Sequence, residues 1–109
     1  EVLVQVSLDH EPQAGRGGAA PADVLALAEQ VVAAQALELR GVMGVAPHPG
    51  NPAAAFARLR LIADEVVERW PQAWHMSAGM SGDLEEAIAE GATHVRVGGA
   101  VLGARSTVQ

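Results

Sequence analysis

Residues 77–83 read Ser77-Ala78-Gly79-Met80-Ser81-Gly82-Asp83. Small residues at such a spot let a ligand come close to the backbone. Backbone N–H groups at the start of a following helix carry partial positive charge and suit an anion. Ser77 and Ser81 add hydroxyl donors. The same pattern also suits a plain turn in which Ser81 or Asp83 caps the helix, and the local pattern leaves both readings open. A second constellation is Val95-Arg96-Val97-Gly98-Gly99-Ala100. Arg96 stands between two valines inside a predicted strand, where a guanidinium needs an acceptor. That acceptor is either a bound anion or a carboxylate such as Glu85 or Glu86. In (β/α)₈ barrels a phosphate site often forms from the last two βα loops and a short extra helix. Here two successive glycine-bearing turns end the chain's last two predicted strands, and the pair favours a phosphate site over capping alone.

Other chemistry-bearing residues are less suggestive. His10, His48, His75 and His94 lack the i, i+4 or His-x-His spacing of a metal site, so no metal is expected. Asp64, Glu65 and Glu68, with Arg58, Arg60 and Arg69 nearby, read as a solvated helix face. Met43 and Met80 read as core filler. Trp70 and Trp74 flank a proline-containing turn and are expected over a helix end. There is no G-x-S-x-G elbow, no Walker motif and no dinucleotide fingerprint.

The elements that position these turns follow from periodicity. Val2, Val4 and Val6 alternate with Leu3, Gln5 and Ser7, which predicts a strand over 1–8. Residues 9–20 carry turn chemistry, with Gly15, Gly17 and Gly18 around Arg16. Pro21 suits a first helical turn, and apolar residues then recur at helical spacing to about residue 34. A second strand is predicted over 39–45, with Gly41 and Gly44 marking close backbone approach or a kink. Asn51 reads as an N-cap and Pro52 as the first residue of a helix reaching about residue 69. Phe56, Leu59, Ile62, Ala63, Val66 and Val67 form its buried stripe. A short strand over 73–77, a helix over 84–90 stopped by Gly91, and a fourth strand over 93–97 complete the order. Strands alternating with helices imply right-handed crossovers and a parallel sheet. Two α/β architectures fit: a small doubly wound sheet, or about four βα units of a (β/α)₈ barrel.

Composition bounds the function. The net charge of −6 argues against non-specific nucleic-acid or anionic-membrane binding, which needs a basic surface. No apolar run approaches the ~20 residues of a membrane span. The absence of cysteine fits the cytoplasm. Half of the residues are apolar, enough for a core. The 109 residues fall well short of the roughly 250 of a closed barrel. With the abrupt strand-like start, this favours a single segment, 1–109, from the C-terminal half of a barrel.

At these residues the sequence resembles the YggS/PROSC family of pyridoxal 5′-phosphate (PLP) binding proteins. The resemblance runs over Leu39-Arg40-Gly41-Val42-Met43, Met76-Ser77-Ala78-Gly79-Met80-Ser81-Gly82-Asp83, Ala87-Ile88-Ala89, Gly91-Ala92-Thr93, Val95-Arg96-Val97-Gly98 and Gly103-Ala104-Arg105. It covers nearly the whole chain, and the S-x-G-M-S-x-D and V-R-[IV]-G combination is specific. The resemblance implies an alanine-racemase-like (β/α)₈ barrel that holds PLP as a Schiff base and serves PLP and amino-acid homeostasis without catalytic turnover. It implies that Ser81, with the backbone N–H groups of Met80 and Ser81, holds the phosphate and that Gly98 and Gly99 donate further N–H groups. It also implies that Ser77 lines the site and that Arg96 lies beside the cofactor. An arginine near the pyridine nitrogen keeps that nitrogen unprotonated, which suits a carrier more than a carbanion catalyst.

Two departures stand out. Gly99 replaces the Thr or Ser common in the family, and the chain contains no lysine, whereas the family's Schiff-base lysine belongs to the first strands of the barrel. The expected partners are PLP and either a missing N-terminal half or a second copy of the chain, with no nucleic acid and no membrane. The alternatives are a racemase- or decarboxylase-like PLP enzyme and a phosphate-binding barrel enzyme that does not use PLP. The former would add a second domain and a catalytic Tyr or Cys, and the chain has neither residue.

Overall fold

Three parallel strands and the helices between them carry the described part of the chain. The structure, a computed structural model, describes residues 1–8, 18–47 and 50–96. Its elements are β1 (Val2–Val6), α1 (Val24–Ala33), β2 (Leu39–Gly44), α2 (Pro52–Arg69), β3 (His75–Ala78) and α3 (Leu84–Ala89). A 3-10 turn at Pro21–Asp23 leads into α1. The sheet order is β1-β2-β3, and both pairings are parallel. A helix crossing between each pair of neighbours is what parallel pairing requires.

Each strand buries alternate side chains. Val4 and Val6 of β1, Val42 of β2, and Met76 and Ala78 of β3 are buried in one core with Val24 and Ala28 of α1 and Phe56, Leu59, Ile62, Ala63 and Val66 of α2. The predicted stripe of α2 is buried except for the half-buried Val67. Truncating Phe56 or Leu59, both 0% exposed, would cost about 2–5 kcal/mol. Asn51 caps α2 as expected: Ala54 N–H donates to Asn51 Oδ1 at 3.2 Å. Arg58 Nη2 donates to the Leu8 carbonyl at 2.8 Å, tying the end of β1 to α2.

The opposite face carries two cross-strand rows, Leu3–Gly41–His75 and Gln5–Met43–Ser77. Apart from Gly41 and Ser77, these residues are half-buried or exposed. A register shift separates Val2, opposite Leu39, from Leu3, opposite Gly41, so Arg40 is the extra residue of a bulge. Gly41 is required where it sits. Its φ is +147°, and a Cβ there would lie 1.9 Å from the His75 carbonyl oxygen. The predicted close approach is therefore between two strand backbones.

The predicted fourth strand is reduced to a single parallel bridge between Ser77 and His94 within the described residues, and Val97 lies outside them. The reason is local. Met76 N–H donates to the Thr93 hydroxyl at 2.8 Å, so a side chain stands in for the backbone acceptor that a ladder would use. The Met76 carbonyl still accepts from Thr93 N–H at 2.8 Å, and further backbone bonds run from Ala78 N–H to the His94 carbonyl at 3.0 Å and from Arg96 N–H to the Gly79 carbonyl at 2.9 Å. The third strand also lies later than predicted. Ala73 N–H donates to the Trp70 carbonyl at 2.8 Å, which makes that stretch a turn. No helix among the described residues is long and apolar enough to cross a membrane.

Candidate anion site at the carboxyl end of the sheet

The turn after β3 is held from three sides. Gly79, at φ +98°, packs against α3 so closely that a Cβ would meet the Ala87 Cβ at 2.6 Å. The Gly79 carbonyl accepts from Arg96 N–H. Met80 N–H donates to Asp83 Oδ1 at 2.7 Å, and Asp83 N–H donates to the Met80 carbonyl at 3.1 Å. Asp83 occupies the N-cap position of α3, yet its side chain caps no helix amide. The capping role expected of Asp83 is thus spent within the turn itself.

This turn borders a cleft of about 470 Å3 between the ends of β2 and β3, lined by Ala46, Pro47, Gly50, Met80, Gly82 and Asp83 among others. Met80 is 48% exposed and is a wall residue of the cleft, not core filler. Ser81 and Gly82 are exposed in the turn. Arg96 is exposed, and among the described residues it pairs with neither Glu85 nor Glu86. Its backbone bond to Gly79 puts a guanidinium-bearing residue next to the turn. Glu85 and Glu86 lie in the first turn of α3 and make that helix start acidic. Gly98 and Gly99 lie outside the described residues.

Ser77 is placed differently from the turn residues. It is buried, at 9% exposure, and lines a second pocket of about 280 Å3 with Glu1, Leu3, Arg40, His75 and His94. The sequence reading did not find this grouping. Its only signal was Gly41, whose close approach seats β2 against the His75 backbone. The rings of His75 and His94 lie 4.6 Å apart, and Trp74 meets His75 edge-on at 4.3 Å. Partial desolvation, then His94 and Arg40, lower the His75 pKa below its ordinary 6.5, and Glu1 opposes them. Trp70 accepts the Arg69 guanidinium over its ring at 4.6 Å at the end of α2, as its position predicted, whereas Trp74 is 52% exposed.

Parallel βα units with a glycine-bearing turn at the carboxyl end of a strand define an α/β segment of the kind found in (β/α)-barrel walls and doubly wound sheets. The family is more specific. The model of the alanine racemase N-terminal domain matches residues 1–106, and the chain belongs to that family. The pyridoxal phosphate homeostasis protein of Mycobacterium leprae is 45% identical over 106 residues, covering 94% of this chain and 40% of that protein. A solved structure of an unknown protein from Bifidobacterium adolescentis superposes with a TM-score of 0.78 at 30% identity, over 87% of this chain and 40% of that one. PipY of Synechococcus elongatus is 36% identical, and each of its structures matches 87% of this chain. The TM-score is 0.73 without PLP, over 46% of PipY, and 0.70 with PLP bound, over 45%. The chain thus spans less than half the length of these relatives.

Proposed function

We propose that this chain provides the phosphate-holding part of a PLP-binding barrel of the homeostasis type, corresponding to the C-terminal half of an alanine-racemase-like (β/α)₈ fold, and that it is a binder and not a catalyst. The observation that carries this reading is the bond from Arg96 N–H to the Gly79 carbonyl at 2.9 Å. It joins the residue bearing the cation to the glycine turn bearing the amides. A relative with PLP bound, at 36% identity, supports the choice of ligand.

The residues present fit a phosphate. Gly79 leaves no side chain between the turn and α3, and the turn faces a cleft. The Ser81 hydroxyl and the amides of Ser81 and Gly82 are assigned to the phosphate by their place in the exposed turn, and Met80 N–H donates to Asp83. Met80 walls the cleft. Arg96 contributes a permanent positive charge, and Gly98 and Gly99 extend the donor set. Ser77 lies below, in the neighbouring pocket. Bound PLP supplies an aldehyde that condenses with amines. This chain has no lysine, so its contribution is to bind and orient the phosphate end. The partner that completes the barrel is a further polypeptide segment or a second copy of the chain.

Titration of the protein with PLP and with inorganic phosphate, followed by backbone amide resonances, tests this. Saturable shifts at Ser81 and Gly82 are expected, with Ser81→Ala and Arg96→Gln each weakening binding by about tenfold. Unchanged affinity in both variants would sink the assignment.

A further inference from the structure

We infer that the outer edge of β1 is a strand-docking site, and that its occupant is the segment 93–96 of a second copy of the chain, so that two copies close into one parallel barrel. This rests on the barrel part of the proposed function and not on the phosphate assignment.

The β1 edge is half covered and half open. Val2 N–H donates to the Glu38 carbonyl at 2.8 Å, so the backbone groups of Val2, Val4 and Val6 face β2 and those of Leu3, Gln5 and Ser7 face outward. Ser7 N–H donates to the Ala19 carbonyl at 2.8 Å and Ala19 N–H to the Gln5 carbonyl at 2.7 Å, which seats Ala19 on that edge as a parallel bridge. Gly18 makes the seat possible. Its φ is +119°, and a Cβ there would lie 2.7 Å from the Ser7 nitrogen. Ahead of Ala19, the Leu3 N–H and C=O and the Gln5 N–H have no partner among the described residues, and Leu3 is 37% exposed. An edge left without cover, lysine or proline is a template for another strand.

The far side of the sheet offers the matching edge. Residues 93–96 bond to β3 through Thr93 N–H, the His94 carbonyl and Arg96 N–H. A trans peptide directs its N–H and C=O to opposite sides, so the Val95 N–H and C=O point away from β3. Neither has a partner among the described residues. The bridge from His94 to Ser77 is parallel, as are both strand pairings, so this segment runs in the direction of β1. A stretch this short needs only the short open part of the β1 edge.

Closure selects a second copy. Eight parallel strands close a barrel, and the chain spans 40–46% of its solved relatives. Three strands and the segment 93–96 give each copy four strand positions, so two copies supply the eight. A two-fold axis along the strands brings the Val95 edge of each copy to the Leu3 edge of the other. One junction used twice then removes every free edge, and Ala19 limits how far each incoming strand can run. The open sheet face becomes the barrel interior, and the Gly79–Asp83 turns of both copies lie at the same mouth.

Sedimentation equilibrium of the full chain, combined with amide hydrogen exchange, tests the junction. A concentration-dependent dimer is expected, with the Leu3 and Val95 amides protected in the dimer and exchanging freely on dilution. Leu3→Pro removes an outward N–H and leaves the β1–β2 ladder in place, so it should weaken the dimer about tenfold or more. Should that variant fail to fold, Leu3→Lys places a charge at the junction and should weaken the dimer likewise. A chain that stays monomeric up to about 1 mM would overturn the inference. So would a dimer whose Leu3 and Val95 amides stay unprotected, an open-ended polymer, or a Leu3 variant that folds and dimerises like the parent. Inorganic phosphate separates the two readings. A monomer whose Ser81 and Gly82 amides still shift saturably loses only the junction, and a protected dimer without those shifts keeps the junction and loses only the phosphate turn.

Discussion

Asp83 and Met80 are tied to each other twice, once through the Asp83 carboxylate, which accepts from Met80 N–H at 2.7 Å, and once through Asp83 N–H, which donates to the Met80 carbonyl at 3.1 Å. The turn therefore contains its own anion. Asp83→Ala should destabilise the fold by about 1 kcal/mol and speed hydrogen exchange at Met80 N–H. Asp83→Asn keeps an acceptor without the charge, so it should hold the turn and bind inorganic phosphate more tightly than the parent. Urea unfolding, amide exchange and phosphate titration measure the three effects. Weaker phosphate binding in Asp83→Asn would show that the carboxylate helps the turn more than it repels the ligand.

Gly41→Ala should be among the most damaging single changes in the chain. The new methyl would sit 1.9 Å from the His75 carbonyl oxygen, at a φ of +147° that side chains rarely adopt. Relief requires β2 and β3 to part, a loss of about 3 kcal/mol or more. Chemical denaturation checks this, with Gly82→Ala as a contrast because no atom lies within 4 Å of a Cβ there.

Stability should depend on pH through His75. In the unfolded chain His75 takes its proton at the ordinary value of 6.5, and in the fold it does so at lower pH because of desolvation, His94 and Arg40. Between those two values the unfolded chain binds more proton, so this contribution is complete above 6.5 and is lost as pH falls through the window to the folded pKa. Unfolding midpoints across that range should slope downward toward acid, and His75→Asn should flatten that component.

Asn51→Ala should cost about 1 kcal/mol by leaving the Ala54 amide without its side-chain acceptor. Thermal or urea midpoints report the loss, and Asn51→Asp should retain most of the stability.

The elements with a strong period were readable from the sequence alone. The alternation of Val2, Val4 and Val6 marked β1, and the stripe from Phe56 to Val66 marked α2, because both record which side of an element is dry. Asn51 and Gly91 were readable as end signals. Gly91 adopts φ +96° and its N–H donates to the Ile88 carbonyl at 3.0 Å, the expected helix stop. The start of β3 was misplaced by two residues because Ala73 is buried without being in a strand, and apolar character alone does not separate the two. Asp83 looked like a cap because sequence shows its position but not which N–H it reaches. The grouping of Arg40, His75 and His94 was hidden for a different reason. It depends on strand register and on one extra residue in β2, neither of which leaves a periodic mark. Of the candidate site, the Gly79–Asp83 turn and the proximity of Arg96 are now on view, while Gly98 and Gly99 lie beyond the described residues.

The bulge at Arg40 also governs which kinds of evolutionary drift β2 tolerates. A point change at Arg40 alters one side chain and spares the ladder. A one-codon deletion there removes only the unpaired residue, leaving Leu39 opposite Val2 and Gly41 opposite both Leu3 and His75, so the glycine seat beneath the His75 carbonyl is kept. The glycine that follows the bulge, more than the length of the strand before it, is what fixes the seat between β2 and β3.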